Sequence, residues 1–362
     1  MNSIFHVFGA LLVVMVSAHA DVAFVSGDFE LHASLKLDSV SFENGPLPVP
    51  IVSWAADAVT IQAHGGTLAS KRSALAKAMG VEVELQMVDD FDQQIADFVE
   101  GHSPFLRGSL GQIILAADYL KRFGADAEPI VFLLVSWSAG ADGVVVRAQN
   151  GRKHSWVVQR KGRQLDLLPQ LARKGIFDET QHQLRFVREA MFHPAAAMDG
   201  KCHDPIQALK QDASLTAALG LTHEIGKNQL TPTVTTEAFP RALADVYAVR
   251  ADFLEHHPEI VGGMLRAQSE AQAAFPGQME NGTWFRDTGK DMAGVFLNDE
   301  GRADEFATWM NGVDLPGRTG NQKFLEPGNS AGGTALSRDL REYFHKLGLV
   351  KTKTPLKFFP SR

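Results

Sequence analysis

The sequence predicts an α/β protein of two lobes joined by two chain crossings, and three observations predict it. From Ile51 onward, short apolar runs alternate with segments of helical periodicity in the order β-α-β-α-β-α-β. The run Ile130–Val135 is apolar throughout, as a strand covered on both faces of a mostly parallel sheet must be. The short run Gly143–Arg147 (GVVVR) has an echo about a hundred residues later in Ala244–Arg250 (ADVYAVR). That echo suggests a chain that leaves one domain and returns beside its own exit. Two such strands would make a hinge, and the turn Ser136–Asp142 before the first would be both hinge and pocket wall.

The elements follow in order. Residues 21–48 read as an irregular extension, and Ile51–Trp54 as a short strand. Ala56–Met79 reads as a helix on the spacing of Val59, Ile61, Leu68, Leu75 and Ala78, weakened at Gly65-Gly66 and stopped by Gly80. Val81–Val88 alternates apolar with acidic or amide residues, a strand with one solvated face. Asp90–Glu100 is a short helix, Phe105–Arg107 a strand running into a loop, and Gly111–Phe123 a helix. In the middle section, Ser155–Gln159 is a strand, Gln164–Lys174 a helix closed by Gly175, and Leu184–Glu189 a strand. Pro205–Lys210 starts a helix, and Leu215–Leu221 is apolar without a decisive period. Pro258 opens a helix to Phe275. Asn281–Gln322 has little pattern, Arg338–Leu347 is a helix stopped by Gly348, and 351–362 is a basic tail. The chain shows no fixed-period repeat.

Composition narrows the function. The first twenty residues carry no Asp, Glu, Lys or Arg. Their apolar core, Val7–Val16, runs into Ala18-His19-Ala20, the pattern of a cleaved secretory signal and too short to span a bilayer. No later window reaches about 18 uninterrupted apolar residues, so the expected mature protein is soluble and periplasmic. A single cysteine, Cys202, leaves no intrachain disulfide, so stability has to come from packing. The net charge of −7 argues against a nucleic-acid partner, and no Lys/Arg block addresses an anionic membrane.

In open α/β sheets, ligands bind beyond the carboxyl ends of strands. Here those ends present Trp54, then Arg107-Gly108-Ser109, then Trp137-Ser138, and in the middle section Gln159-Arg160. Aromatic faces and guanidinium forks are equipment for a small anion or an anion-headed organic solute. Helix N-termini behind Ser109 and Arg163 would add backbone donors. Each has a plainer reading as well. A tryptophan after a strand is commonly core, and Arg160, Lys161 and Arg163 read equally as a solvated turn. Arg107, set among Phe105, Leu106 and Leu110, needs a partner, either ligand or protein, and Asp142 is a candidate. His193, Cys202, His203 and Asp204 are metal-capable, but their spacing fits no compact zinc motif, and the plain reading is a polar loop. No G-x-S-x-G, phosphate loop or H-E-x-x-H is present, so neither a catalytic residue nor a cofactor is expected.

Several segments, in order, resemble the periplasmic substrate-binding proteins of ABC importers of the nitrate/sulfonate/taurine type. They are SWAADAVTIQA, ADFVEGHSPFLRGSLGQIILAADYL, SWSAGADGVVVR, SWVVQRKGRQLDLL, ADVYAVRADFLEHHPEIVGGMLRAQ and EYFHKLGLV. The stretches 176–240 and 280–330 do not follow the family's pattern. The resemblance implies a type II periplasmic-binding-protein fold. Residues 21–148 and 243–362 would form lobe one, and 149–242 an inserted lobe two. It implies a pocket of Trp54, Arg107, Gly108, Ser109, Trp137, Ser138, Gln159 and Arg160, with the loop Thr222–Glu224 contributing from lobe two. It also implies a monomer that hands an anionic solute to an ABC permease at the inner membrane. The alternatives are an enzyme of the cofactor-precursor type on the same fold, or a sensor or accessory binding module.

Overall fold

The computed structural model describes residues 22–359 except 30, 32–33, 43–44, 67, 71–72, 148–153, 189–202 and 280–281. At 69–70, 278–279 and 282–287 it describes the backbone only. The expected signal segment, His193, Cys202 and Asn281 lie outside the described residues. No helix among those described is long and apolar enough to cross a membrane.

The chain starts with β1 (Phe24–Val25) and β2 (Leu47–Ile51). The helix expected over 56–79 is broken. A 3-10 turn at Ala55–Asp57 leads into α1 (Ala58–Ala63), and Gly65 and Gly66, at φ 89° and 81°, turn the chain. Then come β3 (Ala69–Ser70) and α2 (Ala74–Met79), whose N-terminus is capped by Ser73 accepting the Ala76 N–H at 2.9 Å. Only glycine takes such angles without a Cβ penalty, so the pair ends one helix and obliges a second to begin with its own cap. Next are β4 (Val83–Met87), α3 (Phe91–Val99, capped by Asp90), β5 (Phe105–Ser109) and α4 (Leu110–Leu120). A ten-residue β6 (Pro129–Ser138) and β7 (Asp142–Val146) follow.

The middle section holds β8 (His154–Gln159), α5 (Leu168–Arg173), β9 (His182–Val187) and α6 (Pro205–Gln211). Then come β10 (Leu215–Leu221), α7 (Thr222–Lys227) and β11 (Val234–Thr235). The ambiguous run 215–221 is thus a central strand, apolar because both its faces are covered. The chain continues with β12 (Ala244–Arg250), α8 (Ala251–His256), α9 (Pro258–Met279) and α10 (Gly282–Leu297). It closes with α11 (Ala303–Asn311), β13 (Val313–Asp314), α12 (Gly317–Leu325), α13 (Gly333–Lys346) and β14 (Lys357–Phe358).

One sheet has the order β13-β6-β12-β5, with β14 also on β6, and β2-β4-β3 forms a second small sheet. The other large sheet has the order β1-β9-β8-β10-β7-β11. The sheets are mixed rather than mostly parallel. β12 runs antiparallel between β5 and β6, so its first residues meet their last ones. The echoing strands β7 and β12 lie in different large sheets and do not pair. A run of valines ending in arginine describes any covered strand and says nothing of its neighbour. β1 lies on the edge of the sheet that holds β8 and β9, and after leaving it the chain passes between the large sheets twice more, at 139–141 and 236–243. Thr236 ties the two passages together: its Oγ1 lies 2.8 Å from Ser138 Oγ and accepts the Gly140 N–H at 2.8 Å.

Two large apolar clusters form the core. One lies under α1, α2, α9, α10 and α11. The other joins Leu106, Ile113 and Phe344 to Trp156, Leu165, Leu168 and Phe177, and so runs through both large sheets' packing. The poorly patterned 281–322 is largely helical because polar side chains do core work there. Asn321, 2 % exposed, accepts the Leu134 N–H at 2.8 Å and donates to Gln272 Oε1 at 2.8 Å. Gln272 in turn donates to the Leu134 carbonyl at 3.0 Å.

Candidate ligand-binding site

The ends of β5 and β6 and the start of β12 converge, and the turn after β2 joins them. From the other large sheet, the start of β7 and the turn after β8 arrive at the same place. The side chains that meet there are mostly charged and almost wholly buried.

Arg107, on β5, is 1 % exposed and grips Asp57 with both arms, Nε to Oδ1 at 3.1 Å and Nη2 to Oδ2 at 2.7 Å. Its Nη1 stands 3.6 Å from Asp245 Oδ1. Burial works against the Arg107 charge, but Asp57 and Asp245 overcome it and hold the guanidinium above its ordinary value. Burial pushes the Asp57 carboxyl up to about 6, with Arg107 pulling it back. The fork-on-fork geometry is that of an ionised pair.

Asp245 opens the second side of the site. The β12–β6 register shifts between Asp245 and Val246, a bulge of the kind that re-aims a side chain next to a site. Its Oδ2 accepts from Ser136 Oγ at 2.9 Å and from Arg163 Nη2 at 3.0 Å. Arg163 comes from the turn after β8. It also reaches Asp142 Oδ2 at 3.3 Å, and its guanidinium carbon lies 4.0 Å from the centre of the Trp54 ring. Gln164 donates to Asp142 Oδ1 at 2.9 Å. Burial raises the Asp142 carboxyl above its ordinary value, against the pull of Arg163.

Asp166, three residues beyond Arg163, sits over the start of α4. Its Oδ2 accepts the Gly111 N–H at 3.0 Å, and burial pushes its carboxyl up to about 8 against that bond. The approach requires glycine, because a Cβ on Gly111 would lie 1.8 Å from Asp166 Oδ1. Four buried atoms here have no hydrogen-bond partner: Trp54 Nε1, Asp142 Oδ2, Arg163 Nε and Asp166 Oδ1.

The expected site residues fall into four groups. Trp54 and Arg107 stand in the charged cluster. Gly108 and Ser109 build the start of α4: Ser109 caps it in a reciprocal box with Gln112, and a Cβ on Gly108 would meet Gln112 Oε1 at 3.0 Å. Trp137 packs edge-on against Phe324 at 5.6 Å, and Ser138 bonds Thr236 across the passages. Gln159 ends β8, half-buried under Gly162. Arg160 donates to Asp92 Oδ2 on α3 at 3.1 Å, and Lys161 pairs with the other Asp92 oxygen while lying 4.2 Å from the Phe29 ring. Both arginines expected to hold an anion are thus engaged by carboxylates of the protein, and Arg107's partners are Asp57 and Asp245 rather than Asp142. The stretch Thr222–Glu224, expected as a loop, is the start of α7: Thr222 Oγ1 donates to the Ala141 carbonyl at 3.1 Å and His223 lies 4.7 Å from the Trp309 ring. His223 draws the Glu224 carboxyl down to about 2.

Asp57, Asp142, Asp245, Arg163 and Asp166 were not expected as a group. One local signal existed: each aspartate is the lone charge in an apolar or small-residue stretch, SWAAD, SAGADGVVV, LDLL and ALADVYAV.

No protein-family model matches the chain, and no curated protein matches it in sequence. Solved structures do. The alkanesulfonate-binding protein of Xanthomonas axonopodis pv. citri, bound to MOPS, superposes with a TM-score of 0.59 at 10 % identity over 89 % of this chain and 100 % of that one. The periplasmic aliphatic sulphonate binding protein of Escherichia coli gives 0.56 at 14 % identity over 88 % and 94 %. A Candida albicans protein described as exhibiting the generic periplasmic binding protein structural fold gives 0.50 at 10 % over 85 % and 92 %. The chain has that fold, as the sequence reading expects.

Proposed function

We propose that this protein is the solute-binding component of an ABC-type importer, working as a monomer in the periplasm. The inserted lobe, expected over 149–242, would begin earlier, with β7 at Asp142, take β1 as an edge strand, and shut on a small solute held by the first lobe. The observation that carries this is Arg163. It projects from the turn after β8 onto Trp54, Asp142 and Asp245, so both large sheets present side chains to one enclosed point. A solute contacting both sides favours the shut form and shifts the population toward it. Small-angle scattering of the whole chain tests this: solute addition should contract it. An unchanged profile with every solute that binds would oppose lobe closure.

One observation favours a second reading, an enzyme on this fold. The cleft holds carboxyls that titrate near neutrality, Asp57 at about 6 and Asp166 at about 8, as general acid–base groups do. Turnover of any bound solute would decide for it. A sensor or accessory module would bind without a permease partner.

The sequence reading expects an anionic head held by Arg107 and Arg160. With both arginines paired internally, the charge of the solute has to be argued from all the ionised groups around the cleft.

A further inference from the structure

We propose that the solute carries a positive head, an ammonium, amidinium or guanidinium group, seated between Asp142 and Asp245 against the Trp54 indole, where the Arg163 guanidinium now lies. The proposal rests on the solute-binding reading and specifies its ligand.

The first argument is charge. Asp57, Asp142, Asp166 and Asp245 are each at most 2 % exposed. Asp166, its carboxyl raised to about 8, holds a proton at neutral pH, and the ion pairs of the described residues give the other three carboxylates two cationic partners, Arg107 and Arg163. Arg160 and Lys161 are committed to Asp92. An anion entering this cluster would deepen an existing excess of negative charge in a water-poor place, whereas a cation relieves it.

The second argument is independent of the count. Four buried polar atoms around the cluster make no hydrogen bond: Asp142 Oδ2, Asp166 Oδ1, the Trp54 indole Nε1 and Arg163 Nε, the last on the group that the solute displaces. Buried polar groups are satisfied with few exceptions, and a cluster of exceptions in an enclosed site marks partners that something else supplies. The two oxygens accept bonds from an N–H-bearing cation.

The third argument is that the protein displays the complex. Arg163 Nη2 sits 3.0 Å from Asp245 Oδ2 and 3.3 Å from Asp142 Oδ2, with its guanidinium carbon 4.0 Å from the Trp54 ring centre. Two carboxylates and an aromatic face are how proteins hold organic cations. Arg163 stands on a turn at the end of a long flexible stem, so it can withdraw when a freer cation arrives.

The test uses the whole chain and pairs of probes of similar shape and opposite charge: benzamidine with benzoate, ethylammonium with ethanesulfonate, and agmatine with glutarate. Retention after equilibrium dialysis and the scattering profile are both read. The expected result is retention of at least one cation, with contraction of the chain. Retention should fall at least tenfold in Asp245→Asn and in Trp54→Phe, the second chosen because it keeps the core filled. Arg163→Ala should retain the cation as well or better. Retention of anions alone, with contraction, overturns the positive head and leaves the solute-binding reading standing. Retention of neither set, with one scattering profile throughout, overturns both.

Discussion

At the scale of single residues, the buried ion pair is the most exposed to test. Arg107 and Asp57 balance each other where neither can reach water, so removing one leaves the other stranded. Arg107→Met should cost about 3–5 kcal/mol of unfolding free energy, read from urea denaturation. Asp166 makes a second prediction, in pH. Its folded carboxyl is raised to about 8 from an ordinary 3.8. Between those values the folded chain holds a proton that the unfolded chain has released. Stability therefore falls as pH rises through that window, by up to about 1.4 kcal/mol per unit for this one group. Asp166→Asn keeps an oxygen for the Gly111 N–H and cannot ionise. It should remove that part of the decline and be the more stable protein at pH 8, measured by thermal midpoints from pH 5 to 8. Equal slopes for the two proteins would show that Asp166 does not carry the proton. None of this was legible residue by residue. The sequence singled out Trp54 and Arg107 because they follow or end strands. It could not pair Arg107 with Asp57 and Asp245, because those partners stand 50 and 138 positions away.

At the scale of elements, close approach decides more than propensity. α2 and α9 pack so tightly that a Cβ on Gly263 would lie 2.1 Å from the Ala78 carbonyl oxygen and 2.8 Å from Met79 Cα. Backbone cannot give way as a side-chain tip can. Gly263→Ala should lower stability by about 1–3 kcal/mol even though alanine is the better helix former, checked by chemical denaturation. A stabilised variant would mean that the helices separate freely. Strands and short helices such as α3, α4 and α6 were readable, and the structure shows Asp90, Ser109 and Asp204 capping their N-termini. The helices beyond residue 281 were not, and in α12 one cause is visible: the buried Asn321 takes a position that the hydrophobic pattern reserves for an apolar residue.

At the scale of the whole molecule, the two lobes share more than two passages of chain. One apolar cluster continues from α4 and α13 to Leu165, Leu168 and Trp156. A shared core couples the unfolding of both parts. Amide exchange in β8 and in β12 should report the same global free energy. Leu165→Ala, 1 % exposed at the join, should lower both together by about 2–5 kcal/mol. Independent loss in β8 alone would show the second lobe to be a separate unit.

By itself the sequence determined the class of the molecule: alternating strands and helices, two lobes, and the glycines that punctuate them. These are local quantities, set by periodicity and by the backbone preferences of neighbours a few residues apart. Only the tertiary structure decided which strands pair, that β7 and β12 part into different sheets, and that β12 lies antiparallel between β5 and β6. It alone decided the electrostatics of the cleft as well. A buried charge is governed by whatever stands within a few ångströms of it, and here those partners are brought together across the chain by the packing of two sheets.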